Sequence, residues 1–167
     1  MIDLIKEFSI QSSRTRWQIT ITVGISLLMF IAGVLGLPRT MWIGIAVRSV
    51  IQPVQANLGQ RVKERIWGNL VGSIVFVVLC GLVPEPIRFT FVIIGGIGVG
   101  LSASYGWQAV FNSLGAMTIA TGFLGVKGAM FFRVFNNVCG SVFGYLFHCA
   151  VSKILQFGEN NEKFVSA

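Results

Sequence analysis

The run Ile66–Val83, IWGNLVGSIVFVVLCGLV, carries no charged residue and is bounded by Arg65 before it and Pro84 after it. Crossing the hydrocarbon of a bilayer takes roughly 20 residues of helix, and this run comes close to that length. Five further apolar runs flank it: Trp17–Leu37, Met41–Val54, Phe89–Ser104, Trp107–Leu124 and Ala129–Phe157. Breakers fall between them, with Pro38-Arg39 after the first, Pro84-Glu85-Pro86 after the third, and Gly125, Lys127 and Gly128 after the fifth. The fourth and fifth are divided only at Ser104-Tyr105-Gly106, so five crossings are also compatible with the pattern.

Composition agrees with a membrane setting. Of 167 residues, 54% are hydrophobic and 11% charged, against roughly 25% charged in a soluble domain. The mean hydropathy is +0.77. The sequence therefore predicts an all-α polytopic membrane protein of about six transmembrane helices. Its expected organisation is an interfacial segment over 1–16, a membrane domain over 17–157 and a short tail over 158–167. Ile2, Ile5 and Phe8 recur at helical spacing in the first segment, which suits a helix lying in the interface. Asp3, Lys6 and Glu7 interrupt it, so it does not read as a cleavable signal peptide.

The formal net charge is +7. Its basic residues lie between apolar runs rather than along one polar face, which argues against a nucleic-acid partner and for membrane topology. With both termini inside, Lys6, Arg14, Arg16, Arg61, Lys63, Arg65, Lys153 and Lys163 face the cytoplasm, against Arg39, Arg88, Lys127 and Arg133 outside. Positive charge is retained inside, so this orientation is expected. Cys80, Cys139 and Cys149 sit within apolar runs with no metal-ligand spacing, and no metal or cofactor is expected. No nucleophile triad or carboxylate pair points to an enzyme, and Gly95, Gly96, Gly98 and Gly100 lie in an apolar helix rather than a phosphate-binding turn.

Residues Arg65-Ile-Trp-Gly-Asn-Leu-Val-Gly-Ser73 and Arg133-Val-Phe-Asn-Asn-Val-Cys-Gly-Ser141 match in one register at Arg, Asn, Gly and Ser, 68 residues apart. An odd number of crossings between the copies reverses direction, which predicts an inverted repeat of three plus three helices. Gly68 and Gly72, Gly140 and Gly144, and Gly96 and Gly100 add small residues at a spacing that lets helices pack closely in lipid. In such repeats, short or interrupted helices at corresponding positions point to the binding site. The second and fifth runs are expected to fill that role.

The second run holds Trp42, Arg48, Ser49, Gln52 and Pro53, and the proline frees a backbone carbonyl near Ser49. The fifth holds Gln108, Asn112, Ser113, Thr118 and Thr121. An intramembrane charge costs on the order of 3 kcal/mol, so Arg48 needs an explanation. Two readings stand: a bidentate clamp for a small organic anion with Trp42 beside it, or a guanidinium reaching for nearby headgroups. Candidate substrate-binding residues are Arg48, Gln52, Trp42, Asn69, Asn112, Arg133 and Asn137. Arg61 and Arg65 are explained by orientation. All six acidic residues lie at termini or loops, which leaves His148 as the proton-coupling candidate.

The pattern Trp42-x9-Gln52-Pro53-x7-Arg61-x3-Arg65-x2-Gly68-Asn69-x2-Gly72 resembles the fusaric acid resistance and aromatic acid exporter family. Arg133-x3-Asn137-x2-Gly140 resembles the opening of that family's sixth helix, and Tyr105 falls where its members carry an aromatic before the fifth. Asn69 replaces the family's usual Thr and keeps a hydrogen-bonding side chain. The resemblance covers about residues 15–155. It implies efflux of small aromatic acids across a bacterial inner membrane. Family members continue into a cytoplasmic helical region, which implies a homo-oligomer or a separately encoded cytoplasmic partner. The alternative function is a non-transporting membrane scaffold or regulatory subunit.

Overall fold

The computed structural model describes residues 13–52 and 57–165, with side chains through Ile154. The expected interfacial helix before residue 13 and the step at Pro53 lie outside the described residues. All regular structure among the described residues is helical: α1 (Ser13–Val34), α2 (Met41–Val50), α3 (Leu58–Leu82), a 3-10 turn (Glu85–Ile87), α4 (Thr90–Leu101) and α5 (Tyr105–Val165).

Local sequence explains the ends. Past α1, the Leu37 N–H donates to Ala32 O and the Gly36 N–H to Gly33 O, with Gly36 at φ 64° and Pro38 next in line. This double bond around a left-handed glycine closes a helix C-terminus. At the end of α3, Arg88 donates to Cys80 O (2.7 Å) and Val83 O (2.9 Å), satisfying last-turn carbonyls with a cation. The α3 N-terminus lies eight residues ahead of the apolar run, at Leu58, and Gln60 bonds Glu64 one turn on at 2.8 Å. Charges in the first two turns of a membrane helix are tolerated where they reach the headgroup region.

Within α5, Gly125 takes φ 66° and ψ 173°, a conformation open to glycine alone, and divides it into arms over 105–124 and 126–165. Ser113 and Arg133 would be about 30 Å apart along a straight helix, yet the Arg133 Nε–Ser113 Oγ distance is 3.4 Å. The arms therefore fold back antiparallel. α2, α3 and α4 pack on them, and α1 covers α2.

Glycines set the closest approaches. A Cβ at Gly68 would stand 2.5 Å from Gly106 O and one at Gly72 2.6 Å from Val110 O, so α3 runs parallel to the first arm. A Cβ at Gly140 would stand 2.6 Å from Ile43 O, and Gly144 faces Val47, so the second arm runs parallel to α2 in the same way.

Among the described residues, three helices qualify as membrane spans by length and composition, Arg14–Val34, Leu58–Leu82 and the folded Tyr105–Ile154. The expected second and fourth crossings are the helices α2 and α4 of 10 and 12 residues, about 15 and 18 Å long against a hydrocarbon core of roughly 30 Å. Ile51 and Ser102, both extended, end them. The short pair is thus the second and fourth helices, not the second and fifth, because the fifth keeps its helix through Thr118 and Thr121 by bonding their hydroxyls to the carbonyls of Leu114 and Met117 one turn back. Toward the C-terminus, α5 remains helical through Val165, past the start of the expected tail at 158.

Besides an apolar core around Trp42, Phe76, Leu114 and Met117, the chain buries polar groups and exposes large apolar ones. Leu35, Leu82, Leu101, Phe30, Phe123 and Ile154 are exposed, whereas Arg65, Asn69, Ser73, Ser113, Arg133, Asn136, Asn137 and Ser141 are buried. Lipid is the solvent that makes such a surface favourable.

Replacing Gly72 by Ala drives a methyl into Val110 O and Ser113 Cβ, and should destabilise the fold by about 1–3 kcal/mol in a detergent-unfolding titration. Gly81→Ala, with nothing within 4 Å, should leave the midpoint unchanged.

Candidate functional site

On α3, Arg65, Gly68, Asn69, Gly72, Ser73 and Phe76 form one buried stripe at helical spacing. On the second arm Arg133, Asn136, Asn137, Gly140, Ser141 and Gly144 form a buried stripe at the same spacing. The two stripes face each other. Arg65 Nη2 donates to Asn137 Oδ1 at 2.8 Å. Each asparagine also donates to the carbonyl of the arginine one turn before it, Asn69 to Arg65 O (2.8 Å) and Asn137 to Arg133 O (2.7 Å). Ser113 completes the circuit by donating to Asn69 Oδ1 at 3.0 Å and accepting from Arg133 Nε at 3.4 Å.

Both arginines are enclosed, at 3% and 1% exposure, and all their hydrogen-bond partners are neutral. Arg65 Nε, Arg133 Nη2, Ser73 Oγ, Ser141 Oγ and the acceptor Asn136 Oδ1 are buried and have no hydrogen-bond partner. The centre therefore holds two cations, with unmatched donors on both guanidiniums and one unmatched amide acceptor. Arg133 has one further neighbour: its Cζ stands 5.1 Å from the Trp42 ring centroid, a cation–π contact.

Beside this centre opens a cleft of about 420 Å³, within the roughly 300–1,000 Å³ range of small-molecule sites. Arg133, Trp42 and Asn112 line it, together with Arg39, Phe111 and the glycine face of α4 at Gly95 and Gly96. Arg39 also marks the cleft mouth: its guanidinium stands 4.9 Å from the Phe123 ring centroid, its backbone takes the left-handed φ of 58°, and Asn136 Nδ2 bonds its carbonyl at 3.1 Å and that of Pro38 at 2.8 Å.

Of the sequence candidates, Trp42, Asn112 and Arg133 meet at the cleft, while Asn69 and Asn137 stand behind it in the network. Arg48 is exposed in the last turn of α2, Gln52 is half-buried just past that helix, and neither lines the cleft. His148 is half-buried, with Nε2 3.1 Å from Ser152 Oγ, and also lies outside the lining. Arg65 is the residue that sequence reasoning misassigned. Counted as an orientation marker, it is buried on the inward face of α3, and its match to Arg133 is the signal that could have found it. Tyr105 and Ser113, not among the sequence's candidate site residues, join the network through the bonds they make to Arg65 and Asn69.

A helical chain with an apolar exterior, several helices long and apolar enough to cross a bilayer and a polar buried centre is built as a polytopic membrane protein. The profile of the fusaric acid resistance protein-like family matches residues 25–147, and the chain belongs to that family. No curated protein and no solved structure is significantly similar.

Asn137→Ala leaves a buried guanidinium nitrogen without its acceptor, so it should lower stability by about 1–3 kcal/mol. Ser113→Ala, which breaks the 3.4 Å contact to Arg133 and one neutral bond, should cost less. Thermal midpoints in one detergent should rank native, Ser113→Ala, Asn137→Ala from highest to lowest.

Proposed function

We propose that the protein exports small organic acids, aromatic carboxylates in particular, and binds them in the cleft with the carboxylate on Arg133. One observation carries this reading. A guanidinium that is 1% exposed stands at the cleft wall with a buried nitrogen lacking any acceptor. An arginine serving structure alone is expected to have its donors matched, since an unmet buried donor is costly. A carboxylate supplies both the missing acceptor and the missing counter-charge. Trp42 and Phe111 offer ring faces to an aromatic body, and Asn112 offers an amide at the exposed side. The family's name ties it to resistance against fusaric acid, itself an aromatic carboxylic acid, which supports transport rather than catalysis.

The two stripes further support an inverted repeat. α3 is parallel to the first arm, the first arm is antiparallel to the second, and so the Arg65 and Arg133 helices point in opposite directions. In this reading both termini are cytoplasmic, the membrane is the bacterial inner membrane, and the chain works as a homo-oligomer, with room for a separate cytoplasmic partner.

Reconstituted into liposomes, the full chain should release radiolabelled benzoate. Arg133→Lys keeps the charge and loses the fork, and should slow release at least tenfold. Arg48→Gln, at an exposed residue, should change it less than twofold. Release by Arg133→Lys at the native rate would refute the assignment of the cleft.

A further inference from the structure

Three neighbouring glycines of α4 stand in three different settings. A Cβ at Gly95 would lie 2.8 Å from Phe111 O and 2.9 Å from Gly115 N, so this glycine seats α4 on the first arm. One at Gly98 would run into the Phe111 ring, so that glycine leaves the ring its place. At Gly96 a Cβ would meet nothing within 4 Å, and the backbone there has no positive φ. Neither packing within the chain nor backbone geometry calls for glycine at this position, and glycine weakens a helix relative to alanine. Gly100, one turn on, is equally open. Gly96 differs from it by its place in the cleft wall, which α4 builds from Val92, Gly95, Gly96 and Val99 at the spacing of one helix face. A side chain at position 96 would take up cleft volume.

We propose that the cleft takes fused two-ring aromatic carboxylates as well as single-ring ones, and that Gly96 is the residue that admits the second ring; this rests on the cleft being the organic-acid site. The volume fits. At roughly 30 Å³ per water, the cleft's 420 Å³ equals about 14 waters, more room than the heavy atoms of a one-ring acid fill. The chemistry of the lining fits as well. Its polar side chains are Arg133, Arg39 and Asn112, and everything else that lines it is apolar, which suits a hydrocarbon body carrying one anionic group. Where no side chain stands, a flat ring can lie directly against helix backbone.

The test reads a ratio. The full chain in liposomes is loaded with equal amounts of radiolabelled benzoate and 2-naphthoate, release from protein-free liposomes is subtracted, and the rates of release of the two acids are compared. The native chain should release both. Gly96→Leu should lower the ratio of naphthoate to benzoate by about tenfold or more, the scale on which a hydrophobic pocket discriminates by a few carbon atoms. Gly96→Ala, which adds one methyl group in open space and keeps the helix, should lower it by about twofold. Gly100→Leu, outside the lining, should leave the ratio as it is. An unchanged ratio in both Gly96 variants, or a native chain that releases benzoate but not naphthoate, would overturn the role of Gly96 and leave the cleft assignment standing. Equal changes in Gly96→Leu and Gly100→Leu would mark that face as a seat for a neighbouring helix and would overturn it too. A native chain that releases neither acid would overturn the cleft assignment, and the role of Gly96 with it.

Discussion

The bond from Arg65 to Asn137 joins two antiparallel helices at the centre of the molecule with a cation on one side and a neutral amide on the other. In a low-dielectric interior a cation is usually held by an acid, which cancels its charge. An amide oxygen accepts the hydrogen bond but leaves the charge in place. The same holds for Arg133, whose partners are a hydroxyl and an indole face. The centre therefore keeps a positive potential that the chain itself does not neutralise, and the close glycine seats on either side are what bring the helices near enough for such short side chains to meet.

That choice explains the rest of the architecture. Polar groups are gathered into one column, so the outside is free to be apolar and face lipid. α2 and α4 need not span, because their work is to wall the cleft and to carry Trp42 and the small residues beside it. A single glycine reverses α5 and so places Ser113 opposite Arg133, giving the two long arms one common polar seam.

Much of this was legible in the amino acids. The runs of apolar residues fall on the α-helices among the described residues, and the Arg–Asn–Gly–Ser match falls on both buried stripes. Of the residues singled out in the sequence, Trp42, Asn112 and Arg133 line one cleft, and Asn69 and Asn137 lie in one hydrogen-bond network. What sequence reading missed has physical causes. Arg61, Lys63, Glu64 and Arg65 look like a loop because they are charged, but two polar turns can extend a membrane helix into the headgroup layer, and the fourth of these residues then rotates inward. Arg48 looks costly in a linear reading and is simply exposed at a helix end. Tyr105 and Ser113 were noted in the sequence only as a family position and as one of several polar residues, since the partners they meet lie 40 and 44 positions away.

The turn at Arg39 has a consequence of its own. A side-chain-bearing residue in the left-handed region stores on the order of 1–2 kcal/mol relative to the right-handed one, and here an amide two helices away captures its carbonyl and that of Pro38. Asn136 thus ties the strained turn that carries one wall of the cleft to the second arm, so that the place of the Arg39 guanidinium over Phe123 is set by how that arm packs.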